Sequence, residues 1–139
     1  MKRLFVIICL ALMLSALSSC SGAQTIASWS GNNMVSNSED YSWVVSASRV
    51  NGNITRQDVD FGIENLDMLH INSTNSEGEV HLTLIQGDNK IDVNITKEFT
   101  GFLITEGLEP GNIIMRLDFD NAVDVHVEIK WQGSAMFFN

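Results

Sequence analysis

The run Val123-Asp124-Val125-His126-Val127-Glu128-Ile129-Lys130-Trp131 decides the fold class. Val123, Val125, Val127, Ile129 and Trp131 take one set of alternate positions, and Asp124, His126, Glu128 and Lys130 take the other. Successive side chains of a strand point to opposite faces, so this period of two predicts a half-buried strand with its apolar set on the core. Working back from it, Ile113, Met115, Leu117 and Phe119 alternate with Ile114, Arg116 and Asp118, and Asp120-Asn121 predicts a turn between the two runs. Further back, Val80, Leu82 and Leu84 face one way and His81 and Thr83 the other. Gly87-Asp88-Asn89 follows, and then Ile91, Val93 and Ile95 alternate with Asp92, Asn94 and Thr96. Two alternating runs about a short Gly-containing loop predict a hairpin.

The remaining segments read the same way. Residues 41–50 are a β-rich run, closed by Asn51-Gly52, a strong hairpin-turn signal. Residues 54–61 read as a strand or an extended connection, and 62–67 as a turn. Residues 68–73 read as a strand, 75–78 as a turn and 99–104 as a further strand. Glu109-Pro110-Gly111-Asn112 predicts a turn in which Pro sets φ and Gly supplies a positive φ. Apolar residues at helical spacing are nowhere sustained after Cys20. About seven or eight strands at intervals of roughly 8–12 residues predict an all-β domain over residues 40–139, an antiparallel β-sandwich, with a small β-barrel as the alternative. The closing Met136-Phe137-Phe138 either packs over an open end of the core or stays exposed.

The chain begins differently. Met1-Lys2-Arg3 is cationic, residues 4–14 are apolar, and Ser15-Ala16-Leu17-Ser18-Ser19-Cys20 is small and polar at its end. A positive start, an apolar stretch and small residues form a secretory signal peptide. Leu17-Ser18-Ser19-Cys20 resembles the lipobox of bacterial lipoproteins. The resemblance implies a signal peptide over 1–19 and a diacylglyceryl group on the Cys20 thiol. It also implies cleavage before Cys20, and so an extracytoplasmic protein held to the cell membrane by lipid. An ordinary signal cut after Ala23 is the alternative. The apolar run falls short of the ~20 residues that a spanning helix needs. Residues 20–39 read as the lipidated Cys followed by a flexible Ser/Gly/Asn tether, with Trp29 inside it to dock on the domain or on the envelope.

Charge and cysteine narrow the function. Losing Lys2 and Arg3 leaves six basic residues against seventeen acidic ones, a mature balance of −11. Such a surface repels nucleic acid and anionic headgroups, so no nucleic-acid partner is expected. Of the two cysteines, Cys9 leaves with the leader and Cys20 is used by the lipid. No thiol then remains for a disulfide, a metal or a nucleophile.

The candidate sites are sparse. His70, His81 and His126 each fall on the polar side of a predicted strand. Glu79 shares a face with His81, and Asp124 and Glu128 share one with His126. Alternating charge on a solvated strand gives the same pattern, and no metal site is expected. Asp58/Asp60, Glu106/Glu109 and Asp118/Asp120 read as acidic loops that offer oxygen ligands of the kind calcium takes, without EF-hand spacing. No cofactor is otherwise expected. There is no G-x-S-x-G elbow, no phosphate loop and no dinucleotide fingerprint. Trp29, Trp43 and Trp131 are the aromatic candidates for a binding surface.

The globular part resembles small uncharacterised β-sandwich lipoproteins and secreted proteins of Gram-positive bacteria. The stretches that carry this are Tyr41-Ser42-Trp43-Val44-Val45-Ser46, Arg49-Val50-Asn51-Gly52, Ser76-Glu77-Gly78-Glu79-Val80, Leu82-Thr83-Leu84-Ile85-Gln86-Gly87, Glu109-Pro110-Gly111 and Ile129-Lys130-Trp131. These are turn and core positions, so the resemblance implies a fold and no site. The expected protein is a monomeric, lipid-anchored binding module for an envelope protein or glycan, and not an enzyme. A passive envelope lipoprotein and a small extracytoplasmic hydrolase are the alternatives.

Overall fold

The computed structural model describes residues 25–39, 41–61, 69–103 and 105–131. The leader, Cys20, residues 62–68 and the Met136-Phe137-Phe138 tail lie outside these. The described chain is all-β, an antiparallel sheet of eight strands: β1 (Thr25–Asn32), β2 (Val35–Glu39), β3 (Ser42–Phe61), β4 (Leu69–Thr74), β5 (Glu77–Gln86), β6 (Asn89–Asn94), β7 (Glu98–Leu103) and β8 (Gly111–Trp131). The alternation that predicted the last strand holds from Val125 onward, but Val123 is only half-buried and Ala122 takes the core position, because the strand is irregular at Asp124, where φ is 50°. Val125, Val127, Ile129 and Trp131 are buried, while Asp124, His126 and Lys130 are exposed.

Two long strands, β3 and β8, pair with each other along most of their lengths. Their neighbours come in end-to-end couples. β1 and β2 both pair with β3, and one register runs on from Asn32↔Arg49 to Val35↔Ser46. β4 and β5 follow each other along β8, from Thr74↔His126 to Glu77↔Val123. β7 lies beside β4 and β6 beside β5. The sheet is therefore five long strands wide, and each is interrupted near its middle. One half-sheet holds β2, the start of β3, the end of β8, β4 and β7. The other holds β1, the end of β3, the start of β8, β5 and β6.

The interruptions lie along one crease, and it is marked by backbone of positive φ: Asn33 (54°), Gly52 (122°), Gly78 (75°), Lys97 (70°), Asn121 (47°) and Asp124 (50°). Left-handed conformations suit Gly and, next, Asn and Asp, which accounts for five of these six residues, Lys97 being the exception. Asparagine side chains also stitch the crease. Asn75 Nδ2 donates to the Glu77 and Gly78 carbonyls, its Oδ1 accepts from the Lys97 N–H, and Asn51 Oδ1 accepts from the Asn121 N–H.

The crease folds the sheet onto itself. Arg56 donates through Nη1 to the Ser42 carbonyl at 2.8 Å, although the two residues are 14 apart on one strand. Fourteen residues of straight strand would cover about 46 Å. The inner faces of both halves share one apolar core, with Trp43, Val45, Ile71, Ile129 and Trp131 from the first and Val80, Leu82, Leu84, Met115 and Leu117 from the second. These are the two layers of a sandwich. The sheet is open, since β1–β2 and β6–β7 each pair on one side only among the described residues.

Three expectations are corrected. Asn51-Gly52 does not turn a hairpin. It lies inside β3, where the register shifts between Val50 and Gly52. A Cβ on Gly52 would stand 2.3 Å from the Ser28 carbonyl oxygen, so the residue serves close backbone approach at a bulge. Asp120-Asn121 is likewise part of β8, not a turn between strands. The tether assigned to residues 20–39 also does not hold over its described part. Residues 25–32 and 35–39 are paired strands, so the described sheet includes them and does not wait for residue 40. Their Ser- and Asn-rich composition hid them, because an edge strand exposed on both faces shows no apolar alternation.

Candidate functional site

The chemistry-bearing side chains stand on the two outer faces of the folded sheet. On the first half-sheet, cross-strand pairing places three rows side by side: Ser46, His126 and Thr74; Val44, Glu128 and Asn72; Ser42, Lys130 and His70. His126 Nδ1 and Ser46 Oγ are 2.9 Å apart, and Lys130 Nζ pairs with Glu128 at 2.8 Å. The Thr100 hydroxyl donates to Asn72 Oδ1 at 3.2 Å, and the His70 ring meets the Phe102 ring edge-on with centroids 5.2 Å apart. Phe102, on β7, is exposed.

On the second half-sheet, Asn53, Asp118, His81 and Asn94 form one row and Thr55, Arg116, Thr83 and Asp92 the next. Arg116 grips Asp118 with Nε at 2.9 Å and Nη2 at 2.6 Å, both on Oδ1. His81 stands between carboxylates, with Nε2 3.5 Å from Glu79 and Nδ1 3.9 Å from Asp92. The Thr83 hydroxyl, buried beneath them, donates to the same Asp92 oxygen at 3.2 Å.

The histidines are thus divided, two on one layer and one on the other, and they do not converge. Among the described residues no three His, Cys, Asp or Glu side chains are placed to hold a metal ion. Ser46 and His126 are a cross-strand pair on an open face, and no described carboxylate stands behind the imidazole to orient it as a base. Of the acidic pairs read as loops, Asp118 and Asp120 lie on β8. Asp118 is held by Arg116, and Asp120 Oδ1 accepts from Asn121 Nδ2 at 2.7 Å. Glu106 and Glu109 are exposed beyond β7. Asp58 and Asp60 fall on β3, with their side chains outside the described residues.

The aromatic candidates separate cleanly. Trp43 and Trp131 are 0% and 1% exposed, so they are core residues and not surface for a ligand. Trp43 Nε1 donates to Ser36 Oγ at 3.1 Å, which satisfies its one donor at the β2 edge. Trp29 is 41% exposed on β1, opposite Gly52. The residue that sequence reasoning missed is Arg56. It is 5% exposed among apolar neighbours, with its guanidinium carbon 4.6 Å from the Trp131 ring centroid. Its even-numbered parity with Val50 and Ile54 was the available signal. No family model matches the chain, and no curated protein does.

Proposed function

We propose that the protein is a lipid-anchored, extracytoplasmic binding module of the bacterial envelope, and that it recognises an envelope protein or glycan across an outer face of its sheet. The observation that carries this is the separation of the histidines onto opposite layers, each among partners of its own face. Catalysis calls for titratable groups brought together in a cleft. Recognition calls for an area of polar and aromatic side chains on a rigid scaffold. The rows around His126, Glu128 and Phe102 supply that.

The anchoring half of the reading rests on Leu17-Ser18-Ser19-Cys20. Four residues lie between Cys20 and Thr25, the first described residue of β1. At about 3.5 Å each, four residues span at most ~14 Å, so a lipid on Cys20 would hold the domain beside the membrane surface. Fractionation of cells making the full chain tests the anchor. The chain is expected in the membrane fraction, and a Cys20→Ala chain is expected to leave it. A wild-type chain that is soluble and carries no lipid by mass spectrometry overturns the anchoring. For recognition, the same chain in detergent is expected to show saturable retention on cell envelopes, weakened several-fold by Glu128→Lys. Turnover of peptidoglycan, glycans, esters or peptides that disappears on changing one carboxylate or His overturns the binding reading.

A further inference from the structure

The folded sheet ends in two edges of opposite character. The β6–β7 edge carries Lys90, Asp92, Lys97 and Glu98, all exposed. Charged side chains on an edge strand disfavour pairing with another chain. The β1–β2 edge carries no charge until Glu39, the last residue of β2. From residue 21 to 38 there is no Asp, Glu, Lys or Arg, the longest such run after Cys20. Every described side chain of β1 and β2 is exposed, including Trp29 and Val35, the latter at 63%. Both strands pair with β3 alone among the described residues, so one side of each presents backbone N–H and C=O groups outward.

We propose that this edge is an interface between two copies of the chain. β1 of one copy lies antiparallel to β1 of the other about a two-fold axis, and the two sheets join into one. The occupant follows from charge. With seventeen acidic residues against six basic ones after the leader, two copies that meet through most other faces bring like charges together. The neutral edge is where they meet without that repulsion. A strand without charge is also complementary to itself, and antiparallel pairing of identical strands is isologous and closes at two subunits. A basic foreign strand, by contrast, would find its attraction on the acidic faces and none along β1. The straight segment Thr25–Asn32 sets the length of the joint, because the chain kinks at Asn33, where φ is 54°. This departs from the monomer expected from sequence, where residues 25–39 read as tether and no edge was visible.

Sedimentation equilibrium of the full chain in density-matched detergent tests the proposal. The expected protein mass is that of two chains, falling to one in Ser28→Lys/Ser30→Lys, where four ammonium groups would meet across the axis. Asp92→Asn, on the opposite edge, is expected to stay at two. A single-chain mass for the wild type at every concentration overturns the interface. So does a two-chain mass in the lysine variant with a native circular dichroism spectrum. Should the lysine variant fail to fold, disulfide trapping replaces it, with Cys placed singly at Ala27, Ser28, Trp29 and Ser30. Oxidation is expected to yield covalent dimer above the level of the unsubstituted chain at the positions nearest the axis, and none for Asp92→Cys. No cross-linking from any β1 position overturns the proposal.

Discussion

The Arg56 guanidinium lies over the Trp131 ring, 4.6 Å from its centroid, with Nη1 on the Ser42 carbonyl. Arg56 belongs to one layer of the folded sheet, and Trp131 and Ser42 belong to the other. A buried cation therefore ties one layer of the fold to the far end of the other. Arginine suits the place because its planar guanidinium can face a ring while its N–H groups bond in the plane.

Arg56→Ala is expected to destabilise the protein by about 2–4 kcal/mol, from a desolvated cation–π contact and a charge-assisted hydrogen bond lost together. Arg56→Lys is expected to recover only part, since an ammonium cannot keep both contacts. Urea unfolding followed by tryptophan fluorescence reads both changes. Equal stability of wild type and Arg56→Ala would remove Arg56 as a link between the layers.

The crease makes a second prediction. Gly52 has φ of 122° and no room for a Cβ, whereas Gly87, at φ of 57° in the β5–β6 turn, has open space around it. Gly52→Ala meets both backbone strain and the Ser28 carbonyl, and its expected cost is roughly 2–4 kcal/mol. Gly87→Ala meets strain alone, roughly 1 kcal/mol. Thermal unfolding of the two variants is expected to rank them in that order by several degrees.

The same positions show what the sequence disclosed and what it did not. Period-two alternation in residues 80–84, 113–119 and 125–131 placed the core strands correctly, because each has one face in the core and one less buried, Thr83 alone being buried on the outer side. Asn51-Gly52 and Asp120-Asn121 read as turns, and the structure places both inside strands, with positive φ at Gly52 and Asn121. A positive φ serves a hairpin or a bulge, however, and only pairing partners distant in sequence decide between them. β1 and β2 were illegible for a different reason: their pairing to β3 is through backbone, and backbone leaves no mark on composition. Residue type alone makes Trp43 and Trp131 candidates for a ligand surface, yet the alternation of the last strand already puts Trp131 on the core face, where the structure has it buried.

Ser73 supplies a prediction of the opposite sign. It is fully buried on β4, and among the described residues its hydroxyl has no hydrogen-bond partner. An unpaired buried hydroxyl costs about 1–3 kcal/mol. Ser73→Ala removes that cost for a small loss of packing, so the variant is expected to equal or exceed the wild type by up to ~1 kcal/mol, with an unchanged denaturant slope. A drop of 2 kcal/mol or more would mean that the hydroxyl is bonded.

The last prediction concerns where the folded unit begins. A chain cut at residue 40 would keep every segment that alternates clearly, yet it would lose β1 and β2. The side of β3 that they cover would then become an open edge running from Ser42 to Arg56. Trp43 would lose Ser36, the acceptor for its indole N–H, and the core would lose Met34, which packs against it. An orphaned buried donor costs about 1–3 kcal/mol, a lost core methionine a similar amount, and a long uncovered edge invites aggregation. These losses together approach the whole stability of a small domain. Residues 25–139 are therefore expected to unfold cooperatively, while residues 40–139 are expected to aggregate or to melt far lower. Equal melting temperatures for the two would show that β1 and β2 lie on the sheet without supporting it.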